Sequence, residues 1–370
     1  MVRRTPSTRT RPQGAAATAQ ISLDFDALPP ADPVPPDAQA VPLVAEPVPA
    51  FTHKPPVTLP TDLTPETDIE ALARTLQAHP DYRVLRRLQP GVDWGPPPAD
   101  WEPARIRRIL LVDTETTGLQ HGRDKVIELA LLMVQVDAAS GLPFGPVTVY
   151  EGLEDPGMPI PEAARQVSGI TDDMVRGQQF DDAAVQALVA QADCVVAHNA
   201  GFDRPFLEAR LPCFCDKAWA CSWADIDWKA LGATSSGLGA LAQDLGWFFE
   251  AHRALMDCHA LLRVLATPWP GQSVNGLARL LAAVQATTYR LRATGAPYES
   301  KDALKARGYR WDAEARVWVT TLHSAELLEA ECDWLKAAVY PGRPARVGVE
   351  VQDSRVRYAS RSGISQERSL

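Results

Sequence analysis

The stretch Leu111-Val112-Asp113-Thr114-Glu115-Thr116-Thr117-Gly118-Leu119 closes an apolar run with two carboxylates two residues apart. Side chains alternate between the faces of a strand, so Asp113 and Glu115 project from the same side of one. Two acids held together repel, and they resist ionising together unless a cation sits between them. A surface turn carrying two acids would also produce this segment. Two segments downstream bear on the choice.

Further along, Cys194-Val195-Val196-Ala197 reads as a strand, and the polar turn His198-Asn199 leads to a helix starting near Ala200. Asp203 falls in the first turn of that helix, where the backbone dipole favours an anion. Later still comes His252-Arg253-Ala254-Leu255-Met256-Asp257. Here a His precedes an apolar-periodic helix expected to run to about Val264, and Asp257 lies one turn in. Each piece taken singly also suits a helix-start acid or a capping His. In order, they form a set: Asp and Glu on a strand, Asp after a second strand, then His and Asp on a late helix.

That set resembles the DnaQ-like exonucleases of the DEDDh type, the family of the proofreading epsilon subunit of bacterial replicative polymerase. The resemblance rests on DTETTGL, AHNAGFD and HRALMD, with smaller matches at Val126-Ile127-Glu128-Leu129-Ala130 and Val167-Ser168-Gly169-Ile170-Thr171, and it covers about residues 105–267. It implies an α/β fold, a ribonuclease H-like mixed sheet flanked by helices. It also implies a centre in which Asp113, Glu115, Asp203 and Asp257 hold two Mg²⁺ (or Mn²⁺), since an oxygen-only donor set suits hard cations. Asp113 would bridge both ions, Glu115 and Asp257 would serve the ion binding the attacking water, and Asp203 the other. His252 would be the general base, a task suited to an imidazole. The reaction would be release of nucleoside monophosphates from a 3′ end. By the same resemblance, Thr116 and Leu119 contact the terminal nucleotide. His198, Asn199 and Phe202 are further substrate candidates, although they fit helix-start and core positions equally well.

The motifs do not report on a 2′-OH, so a 3′–5′ exoribonuclease stands beside the DNA exonuclease as an alternative. A non-catalytic nucleic-acid or clamp-binding protein is the third reading, and the intact set of four acids and His252 weighs against it. Net charge of −9 argues against a sequence-wide electrostatic grip on nucleic acid, though not against a nuclease whose metals reverse the local sign. The charge is uneven: from Gln285 onward it is +3, and the remainder carries −12. No apolar run is long enough to cross a membrane. The six cysteines show no secreted-scaffold spacing, and Cys213, Cys215 and Cys221 read as loose thiols. With no secretory signal, and with 30 Arg against 7 Lys suggesting GC-rich coding, the expectation is a bacterial cytoplasmic protein.

Residues 1–60 hold 13 of the 32 prolines and two aromatics, the composition of a disordered tail. Within them Gln20-Ile21-Ser22-Leu23-Asp24-Phe25 resembles the hexapeptide with which bacterial replication proteins bind the sliding clamp, with Gln20, Leu23 and Phe25 as anchors. A clamp and a replicative polymerase are therefore expected partners, together with a DNA 3′ end, single-stranded by preference, and RNA as the alternative. Residues 61–103 read as a short helical preface and a Pro-rich linker, 104–268 as the exonuclease domain, and 269–345 as a small C-terminal α+β module. Residues 346–370 read as a loosely ordered tail. In the module Lys301, Lys305, Arg307 and Arg310 beside Tyr309 and Trp311 would suit a single strand. The same aromatics, with Trp318, would also suit the module's own core.

Overall fold

The computed structural model describes residues 68–313 and 315–370. The expected N-terminal tail and the clamp-like peptide lie outside the described residues. Two five-stranded sheets organise the rest. The first is built from β1 (Ile106–Thr116), β2 (Val126–Asp137), β3 (Pro143–Leu153), β4 (Cys194–Ala197) and β5 (Trp219–Cys221), in the order β3-β2-β1-β4-β5. The first three form an antiparallel meander, and β4 and β5 run parallel to β1. This is a mixed α/β sheet with helices on both faces, as expected.

The central strands are apolar on both sides because both sides are covered. Ile109 and Leu111 face one core, with Ala130, Leu132 and Val196. Leu110 and Val112 face the other, with Leu129, Leu131 and Val195. The first core is closed by the helix Ala254–Ala266, whose Leu261, Leu262 and Leu265 are buried. Phe206 and Leu207 of the helix Ala200–Arg210 help close the second. The two helices that carry the late acids of the sequence set therefore lie on opposite faces of β1. Because β1, β4 and β5 are parallel, their C-terminal ends emerge at one edge, where ligands of α/β sheets commonly bind.

The preface and linker are docked onto this domain. Arg86–Arg87 pairs in parallel with Trp247–Phe248, and Leu88 is buried. In the Pro-rich stretch, Trp94 N–H donates to Gly145 O (2.9 Å) and Gly145 N–H returns a bond to Gly95 O (2.7 Å), so this segment runs along β3.

The second sheet comprises β6 (Thr288–Ala293), β7 (Arg310–Asp312), β8 (Val317–Leu322), β9 (Arg346–Gln352) and β10 (Ile364–Ser369), ordered β10-β9-β6-β8-β7 and antiparallel throughout. The expectation of a loose tail over 346–370 is corrected here. Val347 and Val349 are fully buried beside Leu291, Leu304 and Leu328, so β9 is as central as β6. Tyr309 lies in this core and Trp318 packs against it, whereas Trp311 is half exposed with its ring edge-on to Trp318. Between β9 and β10 the chain leaves the sheet and returns to the nuclease domain. Trp219 N–H on the edge strand β5 donates to Ser354 O (2.8 Å), which caps that edge.

Candidate active site

The Asp-Thr-Glu alternation of β1 does what strand geometry requires. Asp113 and Glu115 share one face, and Asp257 from the first turn of the Ala254–Ala266 helix joins them. One oxygen from each of the three carboxylates lies within 4.8 Å of the others, the only such cluster of potential metal-ligand side chains among the described residues. Asp203 and His252 stand outside that close group. Thr114, pointing to the opposite face of β1, donates its hydroxyl to Asp203 Oδ1 (2.8 Å), and Asp203 is buried. This bond holds the Asp203 carboxylate on its own side of the strand, next to the cluster.

The electrostatics are those of an acid group short of cations. Burial raises the Asp113 carboxyl well above the ordinary range, and the neighbouring charges of Asp257, Asp203 and Glu115 push it further. Glu115 is raised to about 8, again by burial first and then by Asp257 and Glu128, with Arg253 opposing. Burial also raises Asp203 and Asp257, against the hydrogen bonds each accepts. An oxygen-only set whose ionised form is this costly fits a divalent cation, which would supply the missing positive charge.

These shifts give the stability a definite pH dependence. In the four acids the folded-state pKa lies above the unfolded value, so the folded protein holds extra protons and loses stability as pH rises through the window. His198, pushed down to about 4 by burial, and His252, also lowered by burial, have the opposite slope, but only below their ordinary value of 6.5. Between about pH 6.5 and about pH 8 the acids alone set the trend. Metal-free protein should therefore melt at a higher temperature at the lower pH, and saturating Mg²⁺ should flatten the difference. Thermal melts at the two pH values, with and without chelator, measure this; a metal-free melting point that rises with pH would contradict it.

His252 takes up a left-handed backbone conformation (φ 68°), unusual for a residue with a side chain. Asp257 Oδ2 accepts both the His252 N–H (2.9 Å) and the Arg253 N–H (3.2 Å), so this acid shapes the turn that presents the imidazole. The remaining candidates lie at or after the ends of β1 and β4. Thr116 Oγ1 donates to Gly118 O (2.6 Å), and Leu119 is exposed. A side chain on Gly118 would collide with Asp124, whose carboxylate fastens the loop by accepting Gln120 N–H (2.9 Å). His198 Nδ1 lies 3.3 Å from Ser222 Oγ, and burial keeps the ring neutral. Asn199 occupies the N-cap of the Ala200–Arg210 helix without a side-chain bond to it, and Phe202 packs on Phe206. Cys221 is buried and accepts the Ala200 N–H, as a structural thiol would.

Sequence reasoning overlooked Thr114 as the partner of Asp203. The alternation gives only its direction, because a residue between two same-face acids must look the other way, and does not name the partner. It also left Arg253 without a role.

Residues 110–265 match the exonuclease family model described as RNase_T. Over part of the chain the protein is similar to the PolC-type DNA polymerase III of Listeria welshimeri, at 35% identity across 97 residues, 26% of this chain and 6% of that one. The corresponding protein of Thermotoga petrophila is 26% identical across 162 residues, 42% of this chain and 11% of that one. The chain thus spans only a small fraction of the curated relatives it matches. Among solved structures, exonuclease X in complex with 5′ overhanging duplex DNA aligns at 27% identity, 43% of this chain, 89% of that chain and a TM-score of 0.34. The clustered acids lie inside the segment that matches the exonuclease model, so the match and the site fall on one nuclease domain. More particularly, the chain carries a DnaQ-like 3′–5′ exonuclease domain.

Among the described residues no helix is long and apolar enough to cross a membrane.

Proposed function

We propose that the protein hydrolyses DNA from its 3′ end, releasing nucleoside monophosphates in proofreading or repair, with Asp113, Glu115, Asp203 and Asp257 holding two Mg²⁺ (or Mn²⁺). The observation that carries this reading is the convergence of three carboxylates within 4.8 Å, inside the segment that matches the exonuclease model. When bound, the divalent ions supply positive charge that offsets the negative charge developing on the reacting phosphate. Asp113 would serve both ions, Glu115 and Asp257 would hold one of them, and Asp203, kept in place by Thr114, would hold the other. His252 takes the proton from the attacking water, for which its depressed pKa keeps the imidazole neutral at neutral pH. Thr116 and Leu119 meet the terminal nucleotide, with His198, Asn199 and Phe202 as further substrate contacts.

Similarity to PolC-type DNA polymerase III favours DNA over RNA. The test is digestion of matched 5′-labelled DNA and RNA oligonucleotides with and without Mg²⁺. A Mg²⁺-dependent ladder on DNA supports the reading, a ladder on RNA alone selects the exoribonuclease, and no cleavage of either rejects it.

The peptide Gln20-Ile21-Ser22-Leu23-Asp24-Phe25 supports a sliding clamp as partner, and through it association with a replicative polymerase. Replacing Gln20, Leu23 and Phe25 together by Ala should abolish clamp binding and leave cleavage of free oligonucleotides unchanged. Equal clamp retention by wild type and variant in a pull-down would remove this assignment.

A further inference from the structure

The helix Ala254–Ala266 begins without a cap of its own. Its N-cap residue, Arg253, makes no side-chain cap bond, yet this helix brings Asp257 to the acid cluster and comes directly after His252 and Arg253. The first backbone N–H groups of a helix have no partner within it, and a buried one left unpaired is costly. Here a residue from across the sheet provides the partner. Glu128 on β2 stands opposite Glu115 in the β1–β2 register and is completely buried. Its Oε2 accepts the Ala254 N–H (3.0 Å), and its Oε1 accepts Arg253 Nε (3.0 Å) and Nη2 (2.8 Å). Arg253 also reaches Glu151 Oε1 (3.4 Å). The turn over residues 252–254 is thus pinned by two carboxylates, Glu128 from β2 and Asp257 from one turn along the helix.

Resting on the metal-dependent nuclease reading, we infer that Glu128 is a positioning residue for the reaction: by capping the helix and clamping Arg253, it fixes where Asp257 and His252 stand relative to Asp113 and Glu115. The division of labour comes from the geometry. Asp257 Oδ2 is occupied by two backbone N–H groups, leaving its other oxygen to face a cation. With Glu128 in place, the Ala254 N–H and the Arg253 side chain are held by a carboxylate other than Asp257, which then has only the His252 and Arg253 N–H groups to serve. Without it, Asp257 alone must cap the helix and hold the turn, and its free oxygen drifts from the cluster. Both oxygens of the buried Glu128 carboxylate are thus engaged, one by the Arg253 guanidinium and one by the helix N-terminus, the kinds of donor that hold a carboxylate best.

The test uses the full chain with Glu128→Gln and, as a second variant, Arg253→Lys, which keeps the charge and loses the two-pronged contact. Mn²⁺ binding is read from the electron paramagnetic resonance signal of the free ion, and kcat and KM are measured on a DNA oligonucleotide alongside thermal melts. Removing a group that orients metal ligands typically costs 10–100-fold in metal affinity or activity. Glu128→Gln should therefore weaken Mn²⁺ binding at least about tenfold and lower kcat by a similar factor with KM little changed, and Arg253→Lys should shift both in the same direction by less. A residue with only a structural role would lower the melting temperature, while the folded fraction bound Mn²⁺ and turned over like wild type. That result overturns the inference. If Glu128→Gln does not fold, Arg253→Lys decides alone: Mn²⁺ affinity and kcat within twofold of wild type would be the overturning outcome. Wild-type protein that binds no Mn²⁺ would instead overturn the nuclease reading itself, so the two failures are distinguishable.

Discussion

Asp113→Asn should fold and melt at a temperature at least equal to that of the metal-free wild type, yet lose about a thousandfold or more of its turnover. The substitution keeps the size of the side chain and removes one negative charge at the centre of the cluster. Asp113 lies on the face shared with Glu115 and Asp257, and its carboxyl feels every other acid of the site. A thousandfold loss corresponds to about 4 kcal/mol of transition-state stabilisation, within what a fixed divalent ion supplies to a reacting phosphate. Stability should move the other way. Burial and neighbouring charges raise the Asp113 carboxyl well above its ordinary range, so its ionised form is unfavourable in the metal-free fold, and a neutral amide relieves that repulsion. The diagnostic pair of measurements is single-turnover cleavage and the increase in melting temperature on adding Mn²⁺. Wild type should gain stability with metal as mass action requires, and the variant should gain little. Turnover within tenfold of wild type, or an undiminished Mn²⁺ shift, would remove Asp113 from the centre of the site.

Much of this site is legible without coordinates. The Asp-Thr-Glu alternation puts Asp113 and Glu115 on one face with no tertiary information, and the length of the apolar run sets β1 in the middle of a sheet. Asp203 and Asp257 are legible as first-turn acids of two helices, because each comes after a clear break in an apolar pattern. The alternation of Val347, Val349 and Val351 also marks a strand, but it lies among arginines and glycines near the end of the chain, a composition that reads as a tail. Two features are beyond sequence reasoning for a physical reason. The docking of Trp94 and Gly95 on β3 uses backbone N–H and C=O groups, which nearly every residue carries and no pattern advertises. The bond from Thr114 to Asp203 joins residues 89 positions apart, and the strand period gives only the direction in which Thr114 looks.

The segment between β9 and β10 is the least legible part of the chain, and it leads to the second large expected effect, on stability. Arg204→Met should destabilise the protein by about 3–5 kcal/mol, the usual consequence of removing one partner from a buried charged network. Arg204 is the residue after Asp203, is fully buried, and stacks over the Trp219 ring at 5.3 Å. Its guanidinium donates to the carbonyl oxygens of Ser354 (3.3 Å), Arg357 (2.6 Å) and Arg355, and its Nε meets Glu208 Oε1 (2.7 Å). A methionine fills most of that volume but makes none of these bonds. It leaves the Arg357 carbonyl without the Arg204 donor and thins the rest of the network, although Ser354 O keeps the Trp219 N–H (2.8 Å) and Arg361 still reaches Arg355 O and Glu208 (2.8 Å). The same strap is anchored a second time by Asp225, which accepts Tyr358 Oη–H (2.6 Å) and Arg357 Nη1 (3.1 Å), so the loss should loosen the strap without freeing it. Arg204→Lys should fall between the two proteins, since a lysine retains the charge but cannot serve carbonyls in several directions at once. Chemical denaturation with urea, read by tryptophan fluorescence, measures the difference. Equal midpoints for wild type and Arg204→Met would mean that the strap contributes nothing to the nuclease domain. Because Arg204 shares its helix with Asp203, any stability loss should be accompanied by weaker Mn²⁺ binding, whereas an exposed substitution on the edge strand β10, such as Glu367→Gln, should alter neither.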